Sequence, residues 1–181
     1  MDTNTDADFD IDQIFKSSNF QIRNQKLETV LVYTSYKYIK NMTINEKQDE
    51  IIAEFEFLDD WLDKYQLIID KSQSSKGVED KYKVEENVIE GCQSKVWVAA
   101  EYKDGLIYFQ GESNTDIAGG IVCMLVEILS GHTPDEILNA DLYFIDRIGL
   151  KEHLSPTRSN GMLAMIKQMR IYAMAFKSKN N

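Results

Sequence analysis

Ile51, Phe55, Leu58, Leu62, Tyr65 and Ile69 recur at intervals of three and four with charged residues between them, which predicts an amphipathic helix over residues 46–72. Thr43 or Asn45 suits its N-cap, and Asp59 or Asp60 can cap a second helix containing Trp61, so the stripe should break once. Gln73-Ser74-Ser75-Lys76-Gly77 ends that helix, and a polar connection rich in Lys and Glu follows. The period then changes. Residues 95–102 and 106–110 read as strands joined through Asp104-Gly105, a pair that between apolar runs predicts an antiparallel hairpin. The stretch from Gly111 to Asp116 turns the chain into a helix over 116–129. There Ile117, Ile121, Val122, Met124, Leu125, Val126, Ile128 and Leu129 leave little polar face, so the helix should be largely buried and Cys123 should serve packing.

Gly131 closes that helix, His132 reads as a turn residue, and Thr133-Pro134-Asp135-Glu136 opens the next helix with a capping box and proline in its first turn. A short apolar helix over 142–148 ends at Gly149. Ser155 before Pro156 starts a long helix whose apolar face carries Met162, Met165, Ile166, Met169, Tyr172, Ala173 and Phe176. At the other end of the chain the pattern fails. Residues 1–12 are acidic and poor in apolar side chains, the composition of a disordered tail, and 13–41 keep no period, with 27–36 readable as strand or short helix. The functional domain is therefore expected over 42–181, behind an N-terminal extension of 1–41, and Met42 is a candidate initiator.

The chain has 181 residues, enough for one domain with a sizeable core, with an ordinary 43% hydrophobic and 28% charged composition. Its net charge of −10 weighs against nucleic acid or an anionic membrane as main partner. Eight acids lie between Glu46 and Asp63, which reads as a solvated helix face ahead of a docking surface. No apolar run is long enough for a membrane span, and the first residues are acidic where a signal peptide is basic and then apolar, so a cytoplasmic protein is expected.

Candidate chemistry centres on Ile89-Glu90-Gly91-Cys92-Gln93-Ser94-Lys95-Val96-Trp97-Val98. Gly91 can fold the chain sharply and present Cys92 at a loop tip, while Val96, Trp97 and Val98 anchor the loop in a strand. The competing reading is packing, since free cysteine is among the most buried residue types. The spacing of Cys92, Cys123, His132 and His153 suits neither a disulfide framework nor a metal site, and none is expected. Arg158 falls in the first turn of the last helix, where the dipole disfavours positive charge, so it calls for an acceptor on this protein or on a visiting one.

Gly91-Cys92-Gln93-Ser94-Lys95-Val96-Trp97, the Gly131-His132-Thr133-Pro134 turn and above all His153-Leu154-Ser155-Pro156-Thr157-Arg158-Ser159-Asn160-Gly161 resemble the SufE family of sulfur acceptors in iron–sulfur cluster assembly, from about residue 42 to the end. The resemblance implies an α+β fold, a small antiparallel β-sheet packed against several α-helices. It implies that Cys92 accepts persulfide sulfur from a SufS-type cysteine desulfurase, stimulates that enzyme and passes the sulfur to a SufB-type cluster scaffold. The pyridoxal phosphate belongs to the desulfurase, the chain itself needs no cofactor, and no independent reaction is expected of it. Monomer and homodimer stay open. Where the family often has Ser-Asp-Ala the chain has Ser113-Asn114-Thr115, and where a lysine usually precedes a glycine it has Gly119-Gly120.

Transpersulfuration needs a thiolate, and an ordinary thiol with a pKa of about 8.5 is only a few per cent ionised at neutral pH. The backbone N–H groups of Gln93 and Ser94, with Arg158, are candidates to stabilise the anion. Because an exposed persulfide is lost to reductants and oxidants, the loop should tuck Cys92 toward apolar neighbours in the free protein and release it on docking. Three alternatives accompany this reading: a sister carrier serving a tRNA-modifying or other acceptor, a cysteine hydrolase using Cys92 with His153 as base, and an interaction module in which the thiol is dispensable.

Overall fold

Thr43 starts the first described helix, α1 (Ile44–Glu56): its hydroxyl accepts the Glu46 N–H at 3.2 Å, and the Glu46 carboxylate accepts the Thr43 N–H at 2.7 Å. The computed structural model describes residues 42–180, so the acidic tail, the undecided segment 27–36 and the expected extension lie outside the described residues. The break falls where the acids allow it. Asp60 accepts the Leu62 N–H at 2.8 Å and opens α2 (Trp61–Ser74). Residues 57–60 reset the helical phase, so the single stripe expected through both helices is not kept: Ile51, Ile52, Phe55 and Ile68 are buried, whereas Leu62 is 75% exposed. The eight acids between Glu46 and Asp63 are all exposed, as a solvated face requires.

Two short 3-10 turns, Asp80–Tyr82 and Glu85–Asn87, lead to the hairpin of β1 (Val96–Lys103) and β2 (Leu106–Ser113). The strands pair antiparallel with Lys103 opposite Leu106 and Val96 opposite Ser113. Asp104 and Gly105 both have positive φ, 53° and 84°, which is the two-residue turn that suits the strand twist. The second strand runs three residues beyond the predicted 106–110, taking in Gly111, Glu112 and Ser113 that the sequence assigned to a turn. Gly111 can continue it because a side chain there would stand 2.6 Å from Val122 of the helix behind.

That helix, α3 (Asp116–Leu129), is the centre of the core, packed between α2 and the hairpin and also touching α1 and the last helix. Gly119 and Gly120 bring α2 and α3 into backbone contact, since a Cβ at Gly120 would overlap the Ile68 carbonyl oxygen and one at Gly119 would overlap the Ser72 hydroxyl. Thr133 and Glu136 form the expected capping box of α4 (Pro134–Asn139). His132, expected as a plain turn residue, is only 6% exposed and ties the turn to the sheet: its carbonyl accepts the Ile107 N–H at 2.9 Å. The predicted helix over 142–148 is shorter, α5 (Phe144–Arg147), and is followed by another one-turn helix, α6 (Leu150–His153). The last helix, α7 (Pro156–Asn180), lays Met162, Met165, Ile166, Met169 and Ala173 into the core. The architecture is α+β. Among the described residues no helix is long and apolar enough to cross a membrane.

Candidate functional site

The loop carrying Cys92 is closed at its base. The Ile89 N–H donates to the Val96 carbonyl at 2.8 Å, and Val88 bridges to Trp97, so Glu90 to Lys95 project beyond the sheet. Glu90 and Gly91 turn the chain, with Gly91 at φ 81°, a conformation in which a Cβ would be strained. The trailing arm is well tied. The Lys95 N–H donates to Asn114 Oδ1 at 2.9 Å, the Asn114 N–H donates to the Lys95 carbonyl at 3.1 Å, and the Thr115 hydroxyl donates to Ser94 at 2.8 Å. Lys95 also pairs with Glu85 at 3.0 Å. The leading arm is different: neither Cys92 nor Gln93 makes a side-chain hydrogen bond to another described residue.

Cys92 is held by packing instead. Its side chain is half-buried against the core, and the sulfur rests over Gly161, near the start of α7: a methyl group at Gly161 would stand 2.8 Å from Sγ and 3.6 Å from the cysteine Cβ. Gly161 is buried in the interior of a helix, where glycine costs roughly 1 kcal/mol relative to alanine. The thiol borders a cavity of about 520 Å³ whose apolar wall is Ile69, Ile117, Ala118, Ile121 and Met165 and whose polar rim includes Gln93, Ser94, Asn114, Thr157 and Arg158. The tucked position expected for the free protein is therefore the one observed.

Of the residues singled out in the sequence, Cys92, Gln93, Ser94 and Arg158 meet at this cavity. Gly91 does not line it; it shapes the turn beside it and faces a second groove formed with Ala164, Lys167, Gln168 and Ile171 of α7. Among the described residues no hydrogen bond reaches the Cys92 thiol, from the backbone N–H groups of Gln93 and Ser94 or elsewhere, and the sulfur lies against Gly161. Arg158 is exposed and has no ion-pair or hydrogen-bond partner among the described residues. Its expected acceptor is thus absent from residues 42–180.

His153 is not brought to the thiol. Its ring stacks on Trp61, with centroids 3.5 Å apart and planes at 13°, and its Nδ1 lies 3.0 Å from the Gly149 carbonyl oxygen. It does not line the Cys92 cavity, and a Cys–His pair for hydrolysis is not assembled. Cys123 is half-buried where burial in the helix was expected. It borders a separate polar cleft with Ser75, Lys76 and Glu112, and burial raises its thiol pKa, against the chemistry of a nucleophile. Both cysteines are free, and no group of metal-ligating side chains assembles among the described residues. Sequence reasoning named Asn114 and Gly161 only within the stretches that carry the resemblance, without their roles at the thiol, and it missed the apolar wall of the cavity. The signal available for Gly161 was a glycine inside a helical pattern with no turn to explain it.

The family model described as "SufE: Fe-S metabolism associated domain" matches residues 49–173. The chain is 36% identical over 127 residues to an uncharacterized SufE-like protein of Rhizobium meliloti, a match covering 67% of this chain and 91% of the relative. It is 30% identical over 137 residues to an uncharacterized SufE-like protein of Synechocystis, covering 76% and 86%. Among solved structures, the solution structure of a hypothetical protein from Thermus thermophilus superposes with a TM-score of 0.60 at 18% identity, covering 71% of this chain and 94% of that one. At that identity the likeness speaks for the fold alone.

Proposed function

The chain belongs to the SufE family, whose domain is associated with iron–sulfur metabolism, and from that membership and the setting of Cys92 we propose that it is a persulfide carrier. Cys92 Sγ, as the thiolate, attacks the outer sulfur of a cysteine persulfide on a SufS-type desulfurase. The donor's S–S bond breaks as a new S–S bond forms on Cys92, and the donor cysteine leaves as its thiolate. The pyridoxal phosphate that generates the donor persulfide belongs to the desulfurase, and uptake by Cys92 frees that enzyme for another turnover. The sulfur then passes to a SufB-type cluster scaffold, and the chain carries out no reaction of its own.

The observation that carries this reading is the half-buried thiol at the edge of a cavity with an apolar wall and a polar rim that holds one base, Arg158, and one acid, Asp116. A bound outer sulfur has room there away from water, which slows its loss to reductants and oxidants. Arg158, exposed and without a partner among the described residues, is available to the persulfide anion or to an acidic group of the docking enzyme. Release of the thiol toward the donor requires movement of the leading arm, which no side-chain hydrogen bond of Cys92 or Gln93 to a described residue opposes. Replacing Cys92 with serine separates the classes. Loss of sulfur transfer is expected for a carrier, loss of a hydrolytic activity for a hydrolase, and no change for a module that does not use its thiol.

A further inference from the structure

We infer that Gly161 is the seat of the Cys92 thiol, a positioning residue whose missing side chain makes the notch in α7 that holds Sγ and so sets how often the thiol is available. The inference rests on the reading of Cys92 as sulfur acceptor, but its test does not. Gly161 lies in regular helix, without the positive φ of Gly77, Gly91, Gly105, Gly131 and Gly149, so backbone conformation does not account for it. The nearest atoms to a Cβ placed there are all from one residue: Cys92 Sγ at 2.8 Å, Cβ at 3.6 Å and Cα at 3.8 Å. The first is closer than packed side chains approach, and the other two are ordinary contacts. The space kept at Gly161 is therefore kept for sulfur alone.

An added methyl group would leave the thiol two responses: to rotate off the helix, or to carry the leading arm outward. That arm has no side-chain hydrogen bond from Cys92 or Gln93 to a described residue, whereas the trailing arm is fixed by Lys95 and Asn114. A lodged thiol is shielded from solvent reagents and from its partner. A displaced one is open to both, so the seat trades speed of uptake against protection of the cargo.

The test is alkylation of the full chain by iodoacetamide, read site by site by mass spectrometry, with Cys123 as internal control because it is also free and half-buried. Gly161→Ala is expected to raise the rate at Cys92 several-fold and leave the rate at Cys123 unchanged. An unchanged Cys92 rate in the folded variant overturns the inference, and so does a parallel rise at both cysteines, which would mean that α7 had loosened as a whole. The companion measurement is Tm in the Cys92→Ala background, where the sulfur is gone and the remaining contacts are ordinary. There Gly161→Ala should raise Tm, as alanine does in a helix interior, by more than it does with Cys92 present. If Gly161→Ala fails to fold in that background as well, something other than the thiol requires the glycine, and the inference falls. A chain that passes these tests yet takes no sulfur from a donor would refute the carrier reading and leave the seat standing.

Discussion

Lys95 and Asn114 grip each other by two hydrogen bonds, Lys95 N–H to Asn114 Oδ1 at 2.9 Å and Asn114 N–H to the Lys95 carbonyl at 3.1 Å. One side chain thus ties the trailing arm of the Cys92 loop to the turn between β2 and α3. Asn114 occupies the position where the family often has aspartate, and the atom used is a side-chain oxygen that aspartate also carries.

Asn114→Ala should accordingly cost about 1 kcal/mol by urea unfolding and raise the alkylation rate of Cys92, because the arm loses its tether. Asn114→Asp keeps the acceptor and should behave as the parent in both measurements. Equal behaviour of Ala and parent would show that the loop is anchored elsewhere.

Gly120 lies where α2 and α3 touch through their backbones. Gly120→Ala should destabilise the fold by about 3 kcal/mol despite the higher helix propensity of alanine, since the methyl group meets the Ile68 carbonyl and only a separation of the helices relieves it. Thermal or chemical unfolding reads this directly; an unchanged or raised stability would contradict the close packing.

His132 is only 6% exposed, and burial, with Lys47 nearby and Glu136 in weaker opposition, pushes its pKa down from 6.5 to about 4. Between those values the unfolded chain binds a proton that the folded chain refuses. Its contribution is therefore unaffected by pH above about 6.5 and turns against folding as pH falls toward 4, by up to about 3 kcal/mol. Stability measured from pH 7 to 4.5 should decline less steeply for His132→Gln than for the parent. Parallel curves would mean that His132 protonates freely in the fold.

Arg158→Ala should alter stability by less than about 0.5 kcal/mol, because the side chain is exposed and has no partner among the described residues. It should slow sulfur loading of Cys92 by a desulfurase, with Arg158→Lys intermediate because charge survives but the planar fork does not. A loading rate indifferent to both substitutions would remove Arg158 from the site.

The sequence carried those features that depend on neighbours along the chain. Thr43 with Glu46, Asp60, Asp104-Gly105 and Thr133 with Glu136 each act within a few residues, and the elements they bound appear where local chemistry predicts. Features set by packing were not legible. The phase of the apolar stripe changed across residues 57–60 and turned Leu62 outward, β2 continued through Gly111 because α3 lies close behind it, and His132 was buried by contacts from distant segments. The site divides the same way. Cys92 on its glycine turn could be read from the loop itself, whereas the notch at Gly161, the tether at Asn114 and the turning of His153 onto Trp61 arise only when α2, α6, α7 and the hairpin come together.

Sulfur uptake by Cys92 is read from the intact mass of the chain after incubation with a cysteine desulfurase and cysteine. A carrier should become heavier by one sulfur atom, the gain reversed by a thiol reductant, located to Cys92 and abolished in Cys92→Ser. A chain of unaltered mass, or a gain located to Cys123, would contradict it.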